Sequence, residues 1–101
     1  MNSSRAKATA KEFVTPVINL NGNNVKTLLE QYNAAWEAYR VLEKAFLAID
    51  FHGRDYQTLP NDQWDLACNQ RREIEKCLVN MQDYLMIHLE SLDDQRRARE
   101  R

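Results

Sequence analysis

The stretch LLEQYNAAWEAYRVLEKAFLAI, residues 28–49, places an apolar residue at alternating steps of four and three. This spacing is typical of a helix that presents one face to a neighbouring helix in a left-handed bundle. The resulting seam consists of Leu28, Tyr32, Ala35, Tyr39, Leu42, Phe46 and Ile49. Leu29, Trp36, Val41 and Ala45 widen the apolar stripe beyond what one antiparallel neighbour would cover. The stretch therefore predicts a long helix with more than one packing partner.

A second seam with the same spacing follows in residues 64–92, made of Trp64, Ala67, Arg71, Ile74, Leu78, Met81, Leu85, His88 and Leu92. Arg71 and His88 stand where an apolar residue is expected, so each needs a partner or a ligand. For Arg71, an ion pair and a ligand contact are both open. For His88, a hydrogen-bonded core histidine is favoured. A simple hairpin would place Arg71 opposite Arg40 and His88 beside Asn23.

The composition supports an all-α fold, because only two Gly and two Pro are present and a β-sandwich or barrel needs frequent turns. We predict a helical hairpin domain over residues 13–92, with antiparallel helices at about 24–50 and 61–93 and an extended N-terminal arm. Residues 1–12 and 94–101 are predicted to be basic tails. Two helices alone leave apolar surface uncovered, so we expect a homo-oligomer, a dimer or higher, that forms a helical bundle.

The segments that flank the helices carry typical boundary signals. FVTPVINL, residues 13–20, is expected to be extended, since Pro16 disfavours helix at Thr15 and the segment is mostly apolar. The run NGNN at residues 21–24 predicts a turn and a helix cap, and Asn61 predicts the cap of the second helix.

No apolar run reaches the roughly 18 residues of a membrane span, and the first residues lack the apolar core of a secretory signal. We therefore predict a cytoplasmic protein without membrane contact. The basic ends leave nucleic-acid binding open as an alternative, although the acidic body between them would repel a phosphate backbone. Cys68 and Cys77 lie on nearly opposite sides of one predicted helix, so we expect two buried thiols and no metal or cofactor.

The connection FHGRDYQTLP, residues 51–60, carries the chemistry of a nucleotide pocket. An arginine fork suits phosphate, a carboxylate accepts from a ribose or base, and a tyrosine ring can stack. Arg54, Asp55 and Tyr56 supply these groups, and Gly53 allows close approach of the backbone. In the alternative interpretation, Asp55 pairs with Arg54 or caps a turn, and Tyr56 plugs the end of the hairpin.

These patterns define two sets of candidate residues. The predicted ligand-binding set is Gly53, Arg54, Asp55, Tyr56, His52 and Asn21, joined by Arg71 and Arg72 if the loop folds back or a neighbouring chain presents it. The predicted oligomer interface is Trp36, Tyr39, Phe46, Trp64, Leu78, Met81 and Leu85. No nucleophile elbow, phosphate-binding loop, paired acids or metal cluster can be assembled, so we expect no enzyme.

The run INLNGNN leading into LLEQY, followed by HGRDY before a second long helix, resembles a family of small helical-hairpin proteins encoded by tailed phages and prophages. The resemblance covers roughly residues 17–90. It implies an oligomeric hairpin from a phage accessory gene, located in the host cytoplasm, and no reaction. By analogy we expect a protein that sequesters a small anionic ligand, such as a nucleotide immune signal, to counter host defence. A module that binds a host or phage protein through its apolar face is the alternative.

Overall fold

The computed structural model describes residues 13–18, 24–60 and 62–99, and within these residues the protein is a helical hairpin without β-strands. Helix α1 spans Val25–Leu47 and helix α2 spans Gln63–Arg99. A short 3-10 turn, Gly53–Tyr56, lies in their connection. The molecule is elongated, with extents of 63 × 33 × 19 Å. The prediction of an all-α hairpin is confirmed.

Helix α1 begins where the sequence signals place it. The side chain of Asn24 accepts hydrogen bonds from the backbone N–H groups of Lys26 at 2.7 Å and Thr27 at 3.3 Å. These bonds satisfy two of the N–H groups that a helix start leaves without partners. The predicted ligand-binding residue Asn21 and the predicted cap Asn61 lie outside the described residues. The helix ends at Leu47, three residues before the predicted boundary.

Helix α2 extends farther than predicted, and the assignment of residues from 94 onward to a tail is wrong as far as Arg99. Asp93 accepts hydrogen bonds from Arg96 at 2.7 Å and from Arg97 at 2.5 Å. Pairs three and four residues apart stabilise a helix, and cations favour its last turn. The arginines that suggested a solvated tail therefore extend the helix.

The register between the helices also differs from the simple hairpin by about two turns. Arg71 lies over the ring of Phe46 instead of opposite Arg40, and His88 lies against Tyr32. Asn23, the predicted neighbour of His88, lies outside the described residues. The cause is the connection, which folds back along the first turns of α2 and brings Gly53 onto Trp64. These turns pack against the connection, so α1 meets α2 farther along.

The best-buried cluster lies at the end of the hairpin away from the connection. It contains Ile18, Val25, Leu29 and Leu92, and Leu92 is fully buried. Leu28, Tyr32 and Leu89 pack against this cluster.

Hydrogen bonds hold residues 13–18 along α2. The Ile18 N–H donates to Gln95 Oε1 at 2.9 Å, and Gln95 Nε2 donates to the Pro16 carbonyl at 2.9 Å. The end of α2 that was predicted to be a tail therefore provides the contact for the N-terminal segment.

Tyr39 anchors the middle of the hairpin and is 3% exposed. Its hydroxyl lies 3.0 Å from the Leu78 carbonyl and 3.3 Å from the Glu43 carboxylate. Burial raises the pKa of Tyr39, and the negative charge of Glu43 raises it further. The neutral phenol is thus favoured, and its single hydrogen ties α1 to α2 when it is donated to Leu78.

Candidate binding site

The connection between the helices is built around three aromatic rings. The ring of Trp64 lies 5.0 Å from Phe51 and 5.2 Å from Tyr56, centre to centre, and Phe51 meets Tyr56 at 5.9 Å. A Cβ atom on Gly53 would lie 3.3 Å from the Trp64 ring, so this position favours a residue without a side chain. Tyr56 is half-buried in this cluster. The packing matches the interpretation in which Tyr56 plugs the end of the hairpin.

Arg54 and Asp55 lie at the surface beside this cluster. The Arg54 guanidinium contacts Nε2 of His52, and the Arg54 N–H points at Nδ1 of the same ring at 3.3 Å. A neutral imidazole can accept a hydrogen bond at only one of its two nitrogens, so only one of these two contacts is a hydrogen bond at a time. The predicted ligand group Arg54 is therefore tied to His52, and the Asp55 N–H bonds the His52 carbonyl at 3.2 Å.

Arg71 and Arg72 line an open hollow of about 470 Å³ where the connection folds back. The Arg71 guanidinium lies 4.4 Å from the centre of Phe46 and 5.0 Å from that of Phe51, and its Nε is 3.3 Å from Glu75. The cation is thus stabilised by two rings and a carboxylate. The lining residues are Leu47, Ile49, Asp50, Phe51, Cys68, Arg71, Arg72 and Glu75, and Arg54 is not among them.

The predicted oligomer interface is largely inside the hairpin. Tyr39 and Leu85 are 3% and 7% exposed, so they leave almost no surface for a second chain. Phe46 lies under Arg71, Trp64 belongs to the aromatic cluster, Leu78 is half-buried, and Trp36 stacks on Tyr39. Of the predicted set, Met81 alone is strongly exposed, at 49%.

A different set of residues forms an exposed surface, which we call the uncharged face. On α1 they occupy positions on one side of the buried seam, and on α2 they occupy the matching side. In an antiparallel pair of helices, two rows of residues that lie at the same angle around each helix from its contact with the other helix share one face of the pair. The set is Ala35, Ala38, Leu42 and Ala45 on α1 and Ile49 just after its end, with Ile74, Cys77, Met81 and Tyr84 on α2.

The exposure of this face is high for apolar side chains. Leu42 is 53% exposed, Ile49 is 55% exposed and Ile74 is 48% exposed. Cys77 is exposed here as well, which corrects the prediction of a buried thiol, and Cys68 is only partly buried. None of the nine residues carries a charge. The face is therefore suited to contact with another apolar surface.

Residues 13–18 cover the far end of the α2 side of this surface. Phe13 meets the ring of Tyr84 edge-on, with centres 5.3 Å apart. The Val14 carbonyl lies 3.2 Å from Nε2 of His88. The chain thus shields this end with its own residues and leaves the end near the connection open.

His88 is a buried, hydrogen-bonded histidine, as expected, with 2% of its surface exposed. Its Nδ1 lies 2.9 Å from the Tyr84 carbonyl, and its ring stacks on Tyr84 at 4.1 Å and on Tyr32 at 5.1 Å. Burial raises the pKa of Tyr32, and a hydrogen bond with Tyr84 raises it further. The helical spacing indicated a partner for His88, but no signal in the sequence identified the Val14 carbonyl.

Comparison with protein-family models, curated proteins and solved structures found no match to this chain, so the resemblance to phage proteins stays a prediction. Neither α1 nor α2 has an apolar stretch of the length and hydropathy that crossing a bilayer requires. Within the described ranges, no group of three or more His, Cys, Asp or Glu side chains is arranged to hold a metal ion.

Proposed function

We propose that this protein acts by binding, without catalysis, and that its uncharged face packs against a second copy of the same hairpin to form a helical bundle. The observation that carries this proposal is the open row of Leu42, Ile49, Ile74 and Met81, each about half exposed. Contiguous apolar patches of this kind mark interaction surfaces in small proteins.

The chemistry of the face favours helices as its partner. Ala35, Ala38 and Ala45 alternate with Leu42 and Ile49 at steps of three and four, which offers small positions into which the side chains of a facing helix can insert. A twofold pair of hairpins would bury both faces in a four-helix arrangement. A host or phage protein with an apolar helix is the other partner that this surface would accept.

The test compares two neighbouring residues of α1. Leu42 lies on the uncharged face, whereas Val41, which is 70% exposed, lies about 100° around α1 from Leu42 and points away from α2. At micromolar concentration, light scattering should give the wild type a mass of at least two chains. Leu42→Glu should give one chain, and Val41→Glu should keep the wild-type mass. A wild-type mass of one chain would reject self-association.

A second function is favoured by one observation, the presence of Arg71 and Arg72 around a single open hollow. Arginine forks match phosphate oxygens, so an oligomer of these hairpins could hold a small anionic ligand there. Its proposed role is sequestration of a nucleotide immune signal, in keeping with the resemblance to phage proteins. Asp50 and Glu75 line the same hollow and would oppose an anion, so this proposal ranks second.

Arg72 is the better residue with which to test ligand binding, because Arg71 also supports Phe46 and Glu75. Arg72→Ala should weaken binding of a nucleotide by about 1.5–3 kcal/mol, the contribution of a charge-assisted hydrogen bond. Arg40→Ala is the control, since Arg40 is exposed on α1 and absent from the hollow. Calorimetry against linear and cyclic nucleotides measures both. No heat from the wild type with any member of the panel would reject this function.

Nucleic-acid binding through the basic ends has less support. Arg96 and Arg97, which belong to the predicted basic tail, donate hydrogen bonds to Asp93. Their charges are therefore partly neutralised within the protein.

A further inference from the structure

The buried ring of His88 makes two contacts with backbone carbonyl oxygens. Both ring nitrogens face backbone carbonyl oxygens, with Nδ1 at 2.9 Å from the Tyr84 carbonyl and Nε2 at 3.2 Å from the Val14 carbonyl. A carbonyl oxygen can only accept. Both contacts are therefore hydrogen bonds only if both ring nitrogens carry a hydrogen.

A neutral imidazole carries one N–H, whereas the imidazolium cation carries two. In the neutral ring, one nitrogen lone pair would face a carbonyl oxygen in a site that is 2% exposed. We propose that protonation of His88 holds residues 13–18 on α2, and that loss of this proton releases them. This inference is independent of the partner proposed for the uncharged face.

The surroundings of His88 can support the cation without a carboxylate. The rings of Tyr84 and Tyr32 stack on the imidazole at 4.1 and 5.1 Å, and aromatic rings attract cations. Their phenol groups are the titratable groups that face it, from α2 and α1. Residues 13–18 contribute no ionisable side chain.

The nearest neighbours of His88 along α2 carry no charge. The positions one, three and four residues from His88 on α2 are uncharged, namely Tyr84, Leu85, Ile87, Leu89, Ser91 and Leu92. No ion pair to His88 is found among the described residues. A change in the charge of the ring would therefore act directly on its two carbonyl contacts.

Release of the segment would change the surface of the hairpin. Phe13 would leave the ring of Tyr84, and Ile18 would leave the cluster that contains Val25 and Leu92. The α2 side of the uncharged face would then be open along more of its length. An unperturbed histidine exchanges its proton between about pH 5 and 8, so pH is the variable with which this proton-dependent latch is tested.

Amide hydrogen exchange tests the latch at one atom. The Ile18 N–H, which donates to Gln95, should be protected at pH 5, and its protection factor should fall at least about tenfold by pH 8. The Leu28 N–H, which bonds the Asn24 carbonyl at the start of α1, is the internal control and should keep its protection. Because the chain has only two histidines, the measurement is made in His52→Gln, where His88 is the only one.

Two further results complete the test. Nitrogen NMR of the His88 ring should show both nitrogens protonated at pH 5 and one at pH 8. His88→Phe keeps an aromatic ring but cannot donate, so Ile18 should exchange rapidly at every pH. If His88→Phe does not fold, the pH dependence measured in the His52→Gln protein decides the test by itself. A neutral His88 ring at pH 5 with Ile18 still protected, or protection of Ile18 that does not change with pH, would overturn the proposal.

Discussion

Replacing Tyr56 by alanine tests whether the connection is a structural plug or an exposed site. The Tyr56 ring packs on Trp64 at 5.2 Å and on Phe51 at 5.9 Å and is half-buried. Truncation of a fully buried aromatic residue costs about 3–5 kcal/mol, so roughly half that, about 1.5–2.5 kcal/mol, is expected here. For a domain of this size, the melting temperature should fall by roughly 6–20 °C.

Arg54→Ala is the matched contrast, because Arg54 lies in the same 3-10 turn and contacts His52 at the surface. Its loss should change the free energy of unfolding by less than about 0.5 kcal/mol. Tyr56→Phe keeps the ring and should melt close to the wild type. Urea unfolding followed by circular dichroism and tryptophan emission, at one fixed protein concentration, measures all three. A larger loss of unfolding free energy for Arg54→Ala than for Tyr56→Ala would refute the interpretation of Tyr56 as a structural plug.

Three more predictions address other parts of the hairpin. Leu92→Ala should destabilise the fold by about 2–5 kcal/mol in urea unfolding, because the side chain is fully buried; a loss below about 1 kcal/mol would contradict this. Gly53→Ala should lower the melting temperature, since its Cβ would lie 3.3 Å from Trp64; an unchanged value would show that the ring moves freely. Hydrogen bonds from Arg96 and then Arg97 lower the pKa of Asp93 from its ordinary 3.8, so their contribution to stability is present above pH 3.8 and should disappear as the pH falls through the lower, folded value. Circular dichroism of the wild type should show this step, and Asp93→Asn should lack it.

Local signals in the sequence were sufficient for the helices and for the cap at Asn24. The spacing of apolar residues and the turn residues act over a few positions, so they can be interpreted without a three-dimensional partner. The predicted end of α2 was wrong because a run of arginines is also typical of a solvated tail. In the structure, Arg96 and Arg97 hydrogen-bond Asp93 one turn earlier, and Gln95 bonds the N-terminal segment. That segment is far away in sequence, so its contact could not be inferred from the local pattern.

The register of the hairpin could not be predicted from the sequence, for a related reason. A simple pairing assumes that α2 meets α1 from its first turn. Here the aromatic residues of the connection pack against that turn, so the contact between the helices begins later. The candidate site differs from the prediction as a result, because Arg71 lies over Phe46 and Phe51 and not opposite Arg40.

The width of the apolar stripe on α1 explains why most of the predicted interface residues lie inside the hairpin. Tyr39 and Leu42 belong to one predicted seam, yet Tyr39 is 3% exposed and Leu42 is 53% exposed. The α1 stripe is wider than α2 can cover, so only one side of it can be buried within a single chain. Polar groups bias the choice, because Tyr39 can donate to the Leu78 carbonyl only when that side faces α2. Leucine and isoleucine need no such bond, so they can remain on the outer side, where a second helix can cover them.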